Sequence, residues 1–192
     1  MQDETTDSLR ARVAELEEAL AGAERRAAGF EAMAHEDPMT GILNRRGFAR
    51  EVQRAIAFNA RYDTPVCLIV FDLDGLKGVN DRHGHEAGDA FITGVAHLLA
   101  ERLRASDVVA RIGGDEFAAL LWYAEPAMAT ERGQALQAEL DGAAVGVAGG
   151  EVRLCVSVGV APLTAEGGVE AALARADEAL YKDKAARGSA RG

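Results

Sequence analysis

The 192-residue sequence predicts a mixed α/β fold, with a central mixed β-sheet flanked by helices and one long helix in front of it. Apolar runs with strand character alternate with segments of helical periodicity. Two of these runs, 108–112 and 116–122, flank a Gly-Gly turn, which indicates a β-hairpin. Apolar residues make up 48% of the chain and charged residues 27%, which suffices for a core without disulfides.

The first element is a helix over residues 7–35, whose apolar residues are spaced alternately four and three apart. This spacing is the a/d seam of a coiled coil, and a single amphipathic helix lying on the domain is the alternative. Pro38 is expected to end the helix. We therefore predict a coiled-coil signalling and dimerisation helix over 1–35 and a globular domain over 36–192. The seam consists of Leu9, Val13, Leu16, Leu20, Ala23, Ala27, Phe30 and Ala34.

The domain begins with a turn-rich segment and then continues in helices and strands. Residues 65–72 are apolar on both faces, as a buried strand is, and a polar, glycine-bearing connection follows them. In the last helix we expect Leu173, Ala176, Leu180 and Tyr181 to point inward. The other predicted elements are helices over 46–60, 88–104, 126–141 and 168–186 and one continuous strand over 152–163.

The net charge of −10 argues against a nucleic-acid-binding protein, which needs basic surface. Cys67 and Cys155 lie in strand-like runs, so we expect two buried thiols and neither a disulfide nor a zinc site. The first residues carry no signal-peptide pattern, and no apolar run is long enough to span a bilayer. We expect a cytoplasmic location, downstream of a sensor or membrane segment that this sequence does not include.

Acidic residues are concentrated at two predicted turns. Asp72 and Asp74 end the buried strand and point to the same face, although an aspartate at a strand end is often only a turn or cap residue. In the hairpin, Gly113 and Gly114 are expected to supply positive φ angles, and Asp115 and Glu116 follow them. Magnesium prefers one or two such carboxylates together with substrate phosphates.

The connection from Gly75 to Asp89 can read a purine base. The amide of Asn80 can donate to O6 or N7 of guanine, and Asp89 can accept from N1–H and the exocyclic amine. Lys77 can meet a phosphate group as a point charge. His83 and His85 flank Gly84, but without softer ligands nearby they do not indicate a metal site.

These residues together resemble the GGDEF family, whose name is spelled by residues 113–117. The segment 37–46, DPMTGILNRR, is similar to the D-x-L-T-G-L-x-N-R-R motif of the family. Residues 71–89 are similar to F-D-x-D-x-F-K-x-x-N-D-x-x-G-H-x-x-G-D, with Leu76 in place of the usual phenylalanine. VSVGVA and ADEALYKDK resemble the late strand and the last helix, so the resemblance covers about 36–188.

The resemblance implies a palm-like nucleotidyl-cyclase fold and a diguanylate cyclase, which joins two GTP molecules into cyclic di-GMP and releases pyrophosphate. It implies two Mg²⁺ ions per site, with Mn²⁺ possible as a substitute, bound by Asp72, the Leu73 carbonyl and Asp115. Asp115 also matches the acid that deprotonates the ribose 3′-hydroxyl, with Glu116 beside it. The implied substrate contacts are Leu76, Lys77, Asn80, His85, Asp89 and Lys184.

Arg104 and Asp107 match the R-x-x-D inhibitory motif of the family, at the expected distance before the hairpin. The resemblance therefore implies inhibition by cyclic di-GMP, and a surface ion pair at a helix end is the alternative. Arg111 either joins that site or pairs with the hairpin acids. The C-terminal K-A-A-R-G departs from the usual K-x-x-G-R, so Arg187 is not expected to reach phosphate as its counterpart does.

Three functions fit these observations. The first is an active cyclase working as a homodimer, because two bound GTP molecules must face each other. The second is a non-catalytic receptor for GTP or cyclic di-GMP, against which the intact signature acids argue. The third is a related cyclase that uses ATP, although adenine lacks the donors that Asp89 would accept from.

Overall fold

The computed structural model describes the backbone of residues 2–147, 150–164 and 166–190, without the side chains of 2–9, 26–28, 30–33 and 188–190. The chain divides into two compact units, residues 1–35 and 36–192. The helices are α1 (Gln2–His35), α2 (Arg45–Tyr62), α3 (Leu76–His83), α4 (His85–Arg102), α5 (Pro126–Gly142) and α6 (Gly168–Ala190). The strands are β1 (Leu43–Asn44), β2 (Val66–Leu73), β3 (Val108–Arg111), β4 (Glu116–Trp122), β5 (Ala144–Val147), β6 (Gly150–Arg153) and β7 (Val156–Pro162).

Helix α1 carries a row of exposed apolar side chains. Val13, Leu16 and Leu20 keep 52%, 56% and 58% of their surface accessible, where a single soluble helix would favour polar residues. Of the other seam positions, Ala23 is exposed and Ala34 is half-buried, while the side chains of Leu9, Ala27 and Phe30 lie outside the described residues. In the described ranges, no helix combines the length and the apolar composition that crossing a membrane requires.

The main sheet has five strands in the order β1-β3-β4-β2-β7. β1 pairs with β3 in parallel, while the other pairs are antiparallel, so the predicted mixed sheet is confirmed. β2 is an interior strand between β4 and β7 and is covered by helices on both faces, which explains why its residues are apolar on both faces. β3 and β4 form the predicted hairpin, and β5 and β6 form a separate two-stranded sheet.

The alternating side chains of β2 separate the core into two layers. Ile69, Phe71 and Leu73 pack with α4 and α5 on one face. Leu68 and Val70 pack with α2 and α6 on the other. Asp72 continues the second series, so its side chain points to the face that carries α6.

The close fit of α6 against β7 depends on Gly159. A Cβ atom on this residue would lie 2.1 Å from the carbonyl oxygen of Ala176 and 2.5 Å from the amide nitrogen of Leu180. Glycine therefore lets the backbones of the helix and the strand touch. Ala176 is fully buried and Leu180 is 7% exposed, as predicted, whereas Tyr181 is 75% exposed and its predicted inward orientation is wrong.

Two segments differ from the sequence prediction. The predicted connection after β2 contains all of α3 and the first turn of α4, separated at Gly84 with φ +84°. The predicted strand 152–163 is divided into β6 and β7 at Leu154 and Cys155. Cys67 is buried as predicted, whereas Cys155, which lies outside both strands, is only half-buried; neither cysteine forms a disulfide.

Candidate active site

Asp72 lies near the end of β2, between two neighbouring strands. It pairs with Glu116 of β4 on one side and with Ser157 of β7 on the other. Lys184 of α6 holds its Nζ 2.6 Å from Oδ1 of Asp72. Directly paired residues point to the same face of a sheet, so the two carboxylates and the ammonium group share one end of the face under α6.

The turn between β3 and β4 positions the two signature acids. The amides of Ile112 and Gly113 both donate to the carbonyl of Glu116, and the amide of Leu73 donates to the carbonyl of Asp115 at 3.0 Å. Neither Gly113 nor Gly114 has a positive φ, so that prediction was wrong. A Cβ on Gly113 would lie 2.4 Å from Oε2 of Glu116, so glycine leaves room for this carboxylate in its present position, although the end of the glutamate side chain can move.

Arg111 stabilises this turn through hydrogen bonds of its side chain. Its Nη2 donates to the carbonyl of Gly114 at 2.7 Å, and its Nη1 lies 3.4 Å from the carboxylate of Asp37. Only 13% of the Arg111 side chain is exposed. Its guanidinium thus connects the hairpin to the segment before α2. Its bond to the hairpin is to a backbone carbonyl, and not to the carboxylates of Asp115 and Glu116 that one predicted alternative named.

Burial and neighbouring like charges raise the pKa values of two carboxylates in this cluster. Burial raises the pKa of Asp72, and the charges of Asp115 and Asp74 add to that rise, while Lys184 opposes it. Burial also raises the pKa of Glu116, with further increases from Asp72, Asp115 and Asp177. A positively charged ligand would relieve this repulsion.

The donor set fits a hard divalent cation that is completed by substrate. Within the described ranges, no three or more His, Cys, Asp or Glu residues stand close enough to hold a metal by themselves. Magnesium commonly uses only one or two carboxylates and takes its other oxygens from phosphates and water. Asp72 and Asp115 satisfy that requirement, and in this structure Lys184 supplies the counter-charge at Asp72.

The predicted base-reading residues lie on the paired helices α3 and α4. Asn80 is half-buried near the end of α3, while Lys77, His85 and Asp89 are exposed. Leu76 is half-buried and packs against the core under α4. The predicted substrate residues are therefore divided between this helical pair and the end of α6 that carries Lys184.

Sequence reasoning missed a second polar cluster, which holds the start of the β2–α3 turn. The hydroxyl of Ser157, fully buried, donates to Oδ2 of Asp74 at 2.9 Å. Arg187 donates to Asp141 at 2.6 Å and to the sulfur of Cys155 at 3.3 Å. A serine inside an apolar strand was the available signal for Ser157, but the partners of Arg187 come from distant parts of the chain.

The two inhibitory-motif residues differ in their surroundings. The carboxylate of Asp107 accepts hydrogen bonds from the backbone amides of Arg104 and Trp122, at 3.1 and 3.3 Å. The side chain of Arg104 is exposed. Both residues line a cleft of about 320 Å³, together with Arg132 of α5. Arg111 is not among the residues that line this cleft.

Comparisons with known proteins agree on one family. The family profile described as "Diguanylate cyclase, GGDEF domain" matches residues 34–190. The chain is 35% identical to diguanylate cyclase DgcP of Pseudomonas aeruginosa over 154 residues, which are 78% of this chain and 22% of that protein. It is 33% identical to diguanylate cyclase DosC of Escherichia coli K12 over 146 residues, 76% of this chain and 32% of that protein. The chain thus spans a third or less of these curated relatives.

Among solved structures, the coiled coil and GGDEF domain of DgcB from Caulobacter crescentus, in complex with c-di-GMP, has a TM-score of 0.83 at 29% identity. The similarity covers 94% of this chain and 95% of that one.

Proposed function

The chain belongs to the GGDEF family, and we propose that it acts as a diguanylate cyclase, which condenses two GTP molecules into cyclic di-GMP and releases two pyrophosphates. The observation that carries this proposal is the direct pairing of Asp72 with Glu116, next to Asp115 and with Lys184 at 2.6 Å from Asp72. Carboxylates and an ammonium group at one end of the sheet are the groups that a nucleotide triphosphate and its cation require.

Each GTP supplies a ribose 3′-hydroxyl that attacks the α-phosphorus of the other GTP. A phosphorus–oxygen bond forms, the α–β phosphoanhydride bond breaks, and pyrophosphate leaves with the bonding electrons. We assign acceptance of the hydroxyl proton to Asp115, with Glu116 beside it. Lys77 and Lys184 would offset the charge of the triphosphate. The guanine would be held by Asn80, Asp89, His85 and Leu76.

We propose that Asp72, the carbonyl of Leu73 and Asp115 hold Mg²⁺, two ions per site, with Mn²⁺ as a substitute. When bound, the metal lowers the pKa of the attacking hydroxyl and neutralises charge on the phosphates. The proposal is supported by the raised pKa values of Asp72 and Glu116, which arise from burial and from the neighbouring carboxylates.

The direct test is incubation of the purified chain with Mg²⁺ and GTP, followed by chromatographic detection of cyclic di-GMP and pyrophosphate. We expect Asp115→Asn to reduce turnover by at least 100-fold, because it removes the carboxylate assigned to accept the hydroxyl proton. Glu101→Gln is the control for loss of one carboxylate charge, because this glutamate is 71% exposed at the end of α4. Absence of cyclic di-GMP from the unaltered chain would refute the proposal. Product from ATP would favour the ATP-using cyclase, and GTP binding without turnover would favour the receptor.

We further propose that the chain works as a homodimer through α1, which also transmits the signal of an upstream sensor domain. The exposed row of Val13, Leu16 and Leu20 supports this, because such a row needs a partner. Replacing Leu16 and Leu20 by glutamine should yield monomers that bind GTP but turn over at least 10-fold more slowly. Glu17→Gln and Glu18→Gln on the same helix are the control, and light scattering gives the mass. Full activity in a monomer would contradict this proposal.

Product inhibition through Arg104 and Asp107 is the last part of the proposal. The cleft beside them supports this proposal, because it measures about 320 Å³ and Arg132 adds a second guanidinium group to that of Arg104. Arg104→Ala should let product accumulate to a higher level before turnover stops. Asp107 is a poorer target, because its carboxylate also holds two backbone amides.

A further inference from the structure

The side-chain amide of Asn80 lies directly on the α-carbon of Gly88. A Cβ atom on Gly88 would be only 2.0 Å from Oδ1 of Asn80 and 2.9 Å from its Cγ. Gly88 is buried within α4, where glycine weakens a helix relative to alanine. The contact with Asn80 explains why this position has no side chain, since even a methyl group would displace the amide.

The contact also determines which end of the amide faces outward. Oδ1 of Asn80 is buried and has no hydrogen-bond partner among the described residues. An oxygen tolerates this position better than an NH₂ group, because the α-hydrogens of glycine can make weak contacts to oxygen. A buried NH₂ would leave two donors unsatisfied there. The Nδ2 group has no partner in the described part of the chain either, but it reaches solvent.

An outward NH₂ group selects between purines. Guanine presents two acceptors, O6 and N7, on the edge where adenine presents N7 and a donor amine. We propose that Gly88 is a positioning residue that fixes the amide of Asn80 with its donors outward, and thereby favours guanine over adenine. This inference rests on the proposed function, since it assigns the base contact to Asn80.

The contact itself can be tested without any nucleotide. The chain has only three asparagines, Asn44, Asn59 and Asn80, so ¹⁵N-asparagine labelling gives three side-chain NH₂ pairs. Asn44 and Asn59 donate to the carbonyls of Glu36 and Thr64. In Gly88→Ala, we expect the NH₂ resonances of Asn80 to move while the other two pairs stay in place. An unchanged Asn80 pair would overturn the inference.

The consequence for recognition is tested by nucleotide binding in the presence of Mg²⁺. Gly88→Ala should weaken GTP by about 10- to 100-fold and ATP much less, as expected for loss of a paired base contact. The matched control is Gly94→Ala in the same helix, where a Cβ would meet Cγ2 of Val145 at 2.5 Å, a contact with β5. We expect Gly94→Ala to retain the preference for GTP.

A double-mutant cycle separates positioning from general damage to α4. In an Asn80→Ala background no amide remains for Gly88→Ala to displace, so adding it should change GTP affinity less than twofold. An equal loss in both backgrounds would mean that Gly88 acts through the helix, which overturns the inference. If the unaltered chain binds no GTP, the proposed function and the guanine preference both fail, and the NMR comparison still decides whether Gly88 orients Asn80.

Discussion

Replacing Gly159 by alanine should push helix α6 away from the sheet. The new methyl carbon would lie 2.1 Å from the Ala176 carbonyl oxygen, 2.5 Å from the Leu180 nitrogen and 2.8 Å from the Leu180 Cβ. Two of these three contacts are to backbone atoms, so no side-chain rotation can relieve them. Overpacking of a core costs 1–3 kcal/mol, and we expect about 3 kcal/mol at this site. For a domain of this size, that corresponds to a fall in Tm of about 6–12 °C.

The matched control is Gly133→Ala on α5, which faces β7 from the other side of the sheet. Its Cβ would lie 3.0 Å from Val160 and 3.2 Å from Val158, both at methyl groups that can move. Alanine also favours the helix by about 1 kcal/mol, so the net change should stay within about 1 kcal/mol. Thermal unfolding followed by circular dichroism measures both variants. Equal Tm values for Gly159→Ala and the unaltered chain would refute the reasoning from close backbone contact.

Two further predictions concern Arg111 and Asp37, which connect the hairpin to the segment before α2. Arg111→Gln should lower the free energy of unfolding by about 2 kcal/mol, because the Gly114 carbonyl and Asp37 lose a charged donor. Denaturant titration measures this, and Arg111→Lys should recover only part of it, since lysine lacks the forked geometry; a neutral Arg111→Gln would contradict the assignment. Burial raises the pKa of Asp37, but hydrogen bonds from Thr40 and the charge of Arg111 outweigh it and leave the pKa below 3.8. The stabilisation is therefore complete above pH 3.8 and is lost as the pH falls through the lower folded-state pKa. The stability difference between the unaltered chain and Asp37→Asn should shrink in that acid range, and a constant difference from pH 2 to 7 would contradict it.

Local patterns in the sequence were sufficient for the main elements. The apolar run 65–72 predicted a buried strand, and the Gly-Gly pair between two β runs predicted the hairpin, both of which the structure confirms. Helix α3 was missed because it is short and polar and is bounded by Gly75 and Gly84, which resemble loop residues. The break at Leu154 and Cys155 was missed because apolar residues continue across it.

The site was predicted unevenly for the same reason. Asp72, Asp115 and Glu116 could be named from the sequence, since strand ends and tight turns are local features. Their assigned roles remain proposals. The conformation of Gly113 was predicted wrongly, because the short sequence pattern suggests a positive φ, whereas in the structure its φ is not positive and the carboxylate of Glu116 lies beside it.

By itself, the sequence determined the family, the order of the main elements and the acidic residues at the end of the buried strand β2, because these depend on neighbours in the chain. The tertiary structure decided which groups meet across the chain. Lys184 reaches Asp72, Arg187 reaches Asp141, and the amide of Asn80 rests on Gly88. Such contacts depend on how closely helices approach the sheet and each other, and that distance is determined by packing between residues far apart in sequence.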